Sequence, residues 1–438
     1  MVDRRLWQAV RWFYPGMRVK RWVVLALVSS GCIIFSLLEL IGKERISRVY
    51  RVLTGLPWSW SRPLVITGLI FVGIIGFSIG IMGLVRSVTR GMAPGKEKQS
   101  AEIIYRTRVL ERGPSVVALG GGTGLSTLLR GLKEETSNLT AVVTVMDDGG
   151  SSGRLRSELD VLPPGDIRNC ILALAEDEER ISRFFQHRFQ GAPGLEGHSL
   201  GNLLLVGIEQ ATGGFDRAIE EMSFMLNIRG QVLPATLAKT HLVAQMEDGE
   251  WIEGESRITT DPRQVRKITL SNENVTPYER VLDAIARADL ILLGPGSLFT
   301  SLIPNLLVAG IAPAIEKASA EKFYIANLMT QPGETDGFTL RDHLRVLSTY
   351  IDLHRFDGLI ANTVPPDVDL LSRYRQESAE PVADDLESNN EYGLQVIRGD
   401  LLGTTELEGK QTVKHDPRKL AHIITHHARA FSHKWVNP

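Results

Sequence analysis

The chain has 438 residues, 43% of them hydrophobic and 23% charged, which allows one large or two ordinary soluble domains and an appendage. Residues 1–112 carry 18 Lys and Arg against 6 Asp and Glu, whereas residues 113–438 carry 31 against 45. An acidic body argues against nucleic acid as a partner, and two cysteines without metal-ligand spacing exclude a disulfide framework.

Two apolar runs near the N-terminus predict a membrane hairpin. Residues 22–41 and 64–85 are each long enough to cross a bilayer as a helix, and the second run contains no charge. Basic residues flank the pair on both outer sides more heavily than they occupy its loop, so both termini are expected in the cytoplasm. We predict a hairpin at 1–90, a linker at 91–113 and a nucleotide-binding domain at 114–438.

The body opens with an apolar strand, 116–119, followed by a glycine turn and a helix from Leu125 to Lys133. Such a turn leaves backbone N–H groups free at a helix N-terminus, where the helix dipole favours phosphate. The pattern reads G-x-G-x-G and not the dinucleotide fingerprint G-x-G-x-x-G, so a tight turn without a ligand is also open. The predicted nucleotide-binding residues here are Gly120, Gly121, Gly122, Thr123 and Gly124.

A second strand, Thr140–Met146, ends on an acidic pair, Asp147 and Asp148. A carboxylate in this place holds a ribose hydroxyl in Rossmann folds, and it could equally hold Mg²⁺ with the help of water. The residues that follow are small or cationic and suit a phosphate, although a flexible polar loop is the alternative. They are Gly149, Gly150, Ser151, Ser152 and Arg154.

Polar residues precede the next two predicted helices. Asp166 follows two prolines and either caps its helix or contacts the ligand, whereas capping does not explain Arg168 and Asn169, which are the better ligand candidates. His198 and Asn202 open an apolar helix, Leu203–Gln210. A lone histidine here is more often a cap or a satisfied core group than a catalyst, so His198 is only a weak candidate base.

The sequence of the rest of the body predicts a β-rich insertion at 230–275, followed by alternating helices and strands. The buried strand Ala288–Leu293 runs into a third glycine turn with Gly294, Gly296 and Ser297, and Asn327 lies in a polar segment beyond the next strand. The other predicted elements are strands Thr240–Gln245, Ile252–Ile258, Lys267–Leu270, Phe323–Leu328, Arg355–Ile360 and Leu394–Ile397, and a closing helix, Pro417–Phe431.

Six blocks in this order resemble the gluconeogenesis factor family, the YvcK-like branch of the CofD-like superfamily. The blocks are 116–133 (VVALGGGTGLSTLLRGLK), 143–156, 162–175, 197–205, 288–308 and 327–339. The resemblance implies an α/β fold with a Rossmann-like parallel-sheet core and a nucleotide ligand of the UDP-sugar class, such as UDP-N-acetylglucosamine. It also implies a role that adjusts carbon metabolism and cell-wall synthesis, and with them cell shape, to nutrient supply.

The leading hypothesis is a non-catalytic nucleotide-sugar binder that is anchored in the plasma membrane with its bulk in the cytoplasm. It requires the turns after the strands to meet at one rim, and it expects a homo-oligomer and a metabolic or cell-wall protein partner. Mg²⁺ at Asp147 or Asp148 is the one cofactor considered. The alternative is a phospholactyl or phosphoryl transferase that uses a nucleotide donor, with His198 as the base; an NAD-dependent dehydrogenase is supported by fold analogy alone.

Overall fold

The computed structural model describes residues 20–41, 58–92, 109–191, 193–272, 274–387, 390–407 and 410–432. Internal contacts divide the chain into two compact units, 1–106 and 107–438. Most of the predicted linker, 91–113, lies outside the described residues.

The first unit contains two long helices, α1 (Lys20–Ile41) and α2 (Trp58–Met92). Within them, Lys20–Leu37 and Pro63–Ser87 are long and apolar enough to cross a membrane. The helices pack closely because glycines on α2 face α1: a Cβ on Gly76 would lie 2.4 Å from Ser29 Oγ, and one on Gly80 would lie 2.9 Å from the Ala26 backbone nitrogen. Small residues at such an interface are typical of membrane helices, as the hairpin prediction requires.

The second unit, the body, contains twelve strands within the described ranges. Their bounds are β1 Val116–Gly120, β2 Leu139–Val143, β3 Gln231–Pro234, β4 Leu242–Met246, β5 Trp251–Glu253, β6 Val265–Leu270, β7 Leu290–Leu293, β8 Glu321–Ile325, β9 Gly358–Asn362, β10 Gln395–Gly399, β11 Leu402–Leu407 and β12 Lys410–His415.

Helices cover the strands on both faces. Their bounds are α3 Gly122–Leu132, α4 Gly150–Leu159, α5 Gly165–Leu174, α6 Glu178–Phe185, α7 Leu200–Thr212, α8 Phe215–Met225, α9 Glu255–Thr260, α10 Glu279–Arg287, α11 Ile303–Leu307, α12 Ile311–Lys317, α13 Leu340–Leu347, α14 Val368–Gln376, α15 Pro417–His427 and α16 Arg429–Ser432. A π-helical turn, Leu298–Leu302, precedes α11, and a 3-10 turn, Leu353–Arg355, precedes β9.

Seven parallel strands form the central sheet, in the order β10–β9–β8–β7–β1–β2–β3. All residues of β1, β2 and β7 are buried, as expected for parallel strands with helices on both faces, and this confirms the predicted α/β class. The chain adds β2 and β3 on one side of β1 and then returns to its other side at β7. This reversal is a topological switch point, the place where open α/β sheets form a ligand crevice.

The insertion forms a separate antiparallel sheet, β5–β4–β6, but it differs from the prediction in two places. The expected strand Ile252–Ile258 stops at Glu253, because Gly254 turns with φ +100° and α9 begins at the next residue. The backbone and hydroxyl of Ser256 both donate to Asp148 Oδ1, which holds the start of α9 against the β2 side of the body. At the start of the predicted insertion, 230–275, the strand β3 belongs instead to the central sheet.

Several predicted bounds shift because buried apolar residues continue past the ends of strands. β2 ends at Val143 and β8 at Ile325, although Met146 and Leu328 beyond them are also buried. The helix predicted from Leu125 begins at Gly122, and the closing helix predicted over Pro417–Phe431 is divided at Ala428. The antiparallel hairpin β11–β12 was not predicted.

Candidate functional site

Two glycine turns meet at the switch point of the central sheet. The first follows β1 and the second, Gly294–Ser297, follows β7, its neighbour in the sheet. The turns touch so closely that a Cβ on Gly124 would lie 2.4 Å from the carbonyl oxygen of Pro295. The first and third predicted turns therefore share one rim.

The first turn presents backbone donors rather than side chains. α3 begins at Gly122, whose φ of +61° suits glycine, and its N-cap residue Gly121 provides no side-chain cap. The Gly122 N–H donates to Asp166, and Thr123 and Gly124 complete the first turn beside the cavity. Asp166 thus accepts one N–H group of this helix N-terminus, and the N–H groups that remain favour a further anion.

The second turn is held by a polar segment beyond β8. The N–H of Gly296 donates to Asn327 Oδ1 at 3.2 Å, and Gln331 Nε2 donates to Ser297 Oγ at 2.6 Å. Asn327 Nδ2 in turn donates to Gln331 Oε1 at 3.3 Å. These bonds fix the turn in place before a ligand arrives.

Three carboxylates converge below the first turn: Asp147 after β2, Asp166 in the first turn of α5 and Glu255 at the start of α9. Burial and the charge of Asp147 raise the pKa of Asp166 to about 6. Burial, followed by the charge of Asp147 and a hydrogen bond to it, raises the pKa of Glu255 to about 8. Asp166 and Glu255 therefore keep their protons to a higher pH than exposed carboxyl groups do.

The far end of the cavity is built by α14 and β12. Tyr374 lies there with its hydroxyl accepting a bond from the Val413 N–H at 2.8 Å, and Lys414 and His415 follow on the strand. Burial lowers the pKa of His415 to about 4, so its ring is neutral. Its Nε2 has no hydrogen-bond partner among the described residues, nor does the buried Thr144 Oγ1 in the same cavity wall.

Together these groups enclose a cleft of about 500 Å³, within the range of ligand pockets, which is about 300–1,000 Å³. Nine predicted site residues line it: Gly121, Gly122, Thr123, Gly124, Asp147, Asp166, Gly296, Ser297 and Asn327. Gly120 ends β1, and Gly294 begins the second turn, just outside the lining. Ligand binding by these residues stays a prediction.

The predicted second glycine loop does not join the cleft lining. Gly149 caps α4 and donates its N–H to Asp147 Oδ1, and Ser152 is buried. Ser151 Oγ lies 3.0 Å from His198 Nδ1 and accepts a bond from Asn202 Nδ2 at 3.1 Å. These bonds join α4 to α7, which gives His198 a structural partner outside the cleft.

Arg168 and Asn169, the preferred ligand candidates of α5, also point elsewhere. Arg168 Nη1 donates to Ser199 Oγ at 2.5 Å, and Nη2 donates to Asn169 Oδ1 at 2.7 Å. Burial and the charge of Arg188 lower the pKa of Arg168 to about 10. The pair thus connects α5 to the start of α7. Asp148, Gly150 and Arg154 line a different cavity.

Sequence reasoning missed the cleft residues that come from distant segments. Glu255 lies in the insertion, and Tyr374, Lys414 and His415 lie in elements that carry no glycine motif. One sequence signal could have indicated these residues: Lys414 and His415 directly precede a clear helix start, Asp416–Pro417.

Comparison with known proteins extends this picture. The family model of 2-phospho-L-lactate transferase CofD matches residues 116–402. The gluconeogenesis factor of Bacillus subtilis (strain 168) is 45% identical over 311 residues, which cover 71% of this chain and 97% of that protein. The gluconeogenesis factor of Halalkalibacterium halodurans is 46% identical over 310 residues, with 71% and 95% covered.

A protein of Nostoc sp. (strain PCC 7120) is 42% identical over 436 residues, covering 97% of this chain and 93% of its own length. That match includes the N-terminal helices. The crystal structure of protein BH3568 from Bacillus halodurans is similar with a TM-score of 0.68 at 45% identity, and it covers 71% of this chain and 99% of that chain.

Proposed function

The chain belongs to the gluconeogenesis factor family of the CofD-like superfamily, and on that premise we propose that its body binds a nucleotide sugar of the UDP-N-acetylglucosamine class. The observation that carries the proposal is the contact between the two glycine turns, after β1 and after β7, at the switch point. A single diphosphate can reach both turns from the cleft.

The phosphate end of the ligand lies at the first turn of α3. Gly122 and Thr123 of that turn line the cleft together with Gly296 and Ser297, and the N-cap residue Gly121 has no side chain to cap the remaining N–H groups. The Gly122 N–H already donates to Asp166. Backbone donors suit phosphate oxygens because they are fixed in place and the helix dipole adds a favourable field.

The other end of the ligand lies toward α14 and β12. Tyr374 supplies an aromatic surface, and Lys414 supplies a cation. The neutral His415 and the Thr144 hydroxyl supply hydrogen-bonding atoms that lack partners among the described residues. A nucleoside sugar carries N–H and O–H donors and carbonyl acceptors that satisfy such atoms.

Mg²⁺ is the cofactor that suits this cleft. Across the described ranges, no three His, Cys, Asp or Glu side chains are arranged to hold a metal ion. Mg²⁺ commonly binds one or two carboxylates together with water and phosphate, so Asp147, with Asp166 nearby, would hold it only alongside the diphosphate. Asp148 is less suited because its Oδ1 accepts two bonds from Ser256.

We further propose that the protein is a membrane-tethered regulator that links gluconeogenic carbon metabolism to cell-wall synthesis and cell shape. Its two N-terminal helices are long and apolar enough to anchor it, and its basic flanks favour a cytoplasmic body. A homo-oligomer and a metabolic or cell-wall protein partner complete the proposal.

Calorimetry on the full chain in detergent micelles tests the binding. We expect wild-type protein to bind UDP-N-acetylglucosamine and Gly122→Arg to lose binding, because the new side chain would enter the phosphate end of the cleft. Gly249→Arg is the matched control, since that glycine is exposed on the insertion and, like Gly122, has a positive φ and no atom within 4 Å of an added Cβ. Equal heats for all three proteins would rule out the cleft.

A transferase is the second candidate, because the matching family model is that of 2-phospho-L-lactate transferase and Asp147 and Asp166 both line the cleft. Carboxylates that hold Mg²⁺ could stabilise the charge of a transferred phosphoryl group. His198 lies outside the cleft lining, which weakens it as the acceptor-activating base. Mg²⁺-dependent turnover of a nucleotide donor would favour the transferase, and tight binding without turnover favours the regulator.

A further inference from the structure

Part of the predicted nucleotide site lines a second pocket of about 670 Å³. Asp147 and Glu255 face the cleft, whereas their chain neighbours Asp148 and Ser256 face this pocket. The two dipeptides therefore form a shared wall, and the bonds from Ser256 to Asp148 Oδ1, at 2.7 and 2.5 Å, hold it together.

The charged groups of the second pocket are mainly cationic, although the body as a whole is acidic. Arg154, Arg156 and Lys239 line it, against the carboxylates Asp148 and Asp160. Asp148 Oδ1 accepts both bonds from Ser256, and the charge of this carboxylate acts on Arg156. Asp160 pairs with Lys239 at 2.6 Å in a contact where both side chains are at least half exposed. An exposed pair of this kind contributes about 0–1 kcal/mol, so Lys239 can turn to a better partner.

Arg156 is positioned from one side only. Its Nη2 donates to the Thr240 carbonyl at 2.5 Å and lies 2.7 Å from His241 Nδ1. Its Nη1 is buried and has no partner among the described residues. A guanidinium that is fixed on one edge and unsatisfied on the other suits an anionic acceptor.

His241 adds a donor to the same pocket. A guanidinium cannot accept a hydrogen bond, so the contact with Arg156 makes Nδ1 of His241 the acceptor and places the proton on Nε2. Arg154 Nη2 donates to the Glu196 carbonyl at 2.7 Å, and the rest of this exposed guanidinium makes no other hydrogen bond with the described residues. Donors therefore dominate the pocket, which is the chemistry that phosphate oxygens require.

We propose that this second pocket is a separate ligand site, which binds a small phosphate-bearing molecule through Arg154, Arg156 and Lys239. The site lies behind the wall Asp147–Asp148 and is independent of what occupies the cleft. The alternative is that phosphate binds only in the cleft, as part of the cleft ligand. The test distinguishes binding in the second pocket from binding in the cleft.

Calorimetry of the full chain in detergent micelles, with inorganic pyrophosphate as the probe in magnesium-free buffer, tests the proposal. We expect Arg154→Met/Lys239→Met to weaken pyrophosphate binding to this site at least tenfold. Arg154→Lys/Lys239→Arg should retain it, because both charges are kept. Lys267→Met, which removes an exposed cation elsewhere on the insertion, is the control. All four proteins should melt at similar temperatures without pyrophosphate, since the altered side chains are exposed.

Lys414→Met reports on the cleft. Loss of pyrophosphate binding in this variant alone, with the double variant unaffected, would assign the phosphate to the cleft and overturn the proposal. Absence of heat with wild-type protein, or equal loss in the Lys267→Met control, would also overturn it. Parallel titration with UDP-N-acetylglucosamine keeps the two proposals distinct, because its failure would remove the nucleotide-sugar function and leave the second site standing.

Discussion

Gly124 packs directly on Pro295: a Cβ added to Gly124 would lie 2.4 Å from the Pro295 carbonyl oxygen and 2.8 Å from its carbonyl carbon. The contact joins two turns that are 171 residues apart in sequence and adjacent at the switch point of the sheet. Because the atoms it meets are backbone, they cannot rotate away as a side chain could. This contact sets the distance across the phosphate end of the cleft.

Gly124→Ala should therefore separate the two turns. We expect the free energy of unfolding to fall by about 2 kcal/mol, the usual cost of overpacking, and the affinity for the nucleotide sugar to fall with it. Chemical denaturation and calorimetry measure the two effects. Gly207→Ala on the exposed face of α7 should instead be neutral or stabilise by about 0.5–1 kcal/mol. Equal effects of the two substitutions would contradict the contact.

Lys414→Met should weaken nucleotide-sugar binding. Lys414 is a cation in a cleft that also holds Asp147, Asp166, Glu255 and Glu377, so it offsets the negative potential there. We expect an affinity loss of about tenfold, as for a hydrogen bond to a charged group, measured by calorimetry. Lys267→Met, on the separate small sheet, should bind like wild type. If Lys414→Met also binds like wild type, the ligand does not reach β12.

Glu255→Gln should stabilise the protein, and more so as pH rises. The folded-state pKa of Glu255, about 8, lies above its ordinary value of 4.5, so between these values the native state holds a proton that the unfolded state releases. Wild-type stability therefore falls as pH rises from about 4.5 to about 8, whereas glutamine does not titrate.

We expect the Glu255→Gln variant to match wild type near pH 4 and to gain about 2 kcal/mol at pH 8, a value below the full shift because part of the side chain is exposed. Urea denaturation at both pH values measures the difference. Glu247→Gln, at an exposed position of the same insertion, is the control. A gain that is the same at pH 4 and pH 8 would show that Glu255 does not hold the proton.

His198→Ala should reduce stability and leave ligand binding intact. The ring is buried and pairs with Ser151 across α4 and α7, so its loss leaves a buried hydroxyl with one partner fewer, which costs about 1–3 kcal/mol. A double-mutant cycle with Ser151→Ala should return a coupling energy of about 1 kcal/mol. Loss of turnover or binding without loss of stability would restore His198 to the site.

The orientation of the hairpin can be tested with reporter fusions. Alkaline phosphatase, which is active outside the cytoplasm, should be active when fused after Tyr50, in the loop between the two apolar runs, and inactive when fused after Gly113. A fluorescent protein that folds in the cytoplasm should give the opposite pattern. Reversal of both patterns would place the body outside.

The sequence predicted the sheet and its glycine turns because both are local signals. The strand 116–119 is a continuous apolar run. The turn after it requires glycine at two positions: Gly122 has a positive φ, and Gly124 lies too close to Pro295 for a side chain. The β7 strand and its turn repeat this pattern, and Asp147 follows β2 for the same topological reason.

The remaining site residues depend on contacts between distant segments. Glu255 reaches the cleft because α9 is held by Asp148, a bond that no local pattern reveals. Ser151 and Arg168 lie beside cleft residues in sequence, but the helical period turns them toward α7. Lys414 and His415 belong to a polar hairpin whose alternation is too weak to predict a strand.

The structure of the protein crystallised with UDP-N-acetylglucosamine tests the central claim most directly. We expect diphosphate oxygens within hydrogen-bonding distance of the backbone N–H groups of the first turn of α3, with Gly296 and Ser297 on the opposite side. A ligand bound away from both glycine turns, with the cleft empty at saturating concentration, would contradict it.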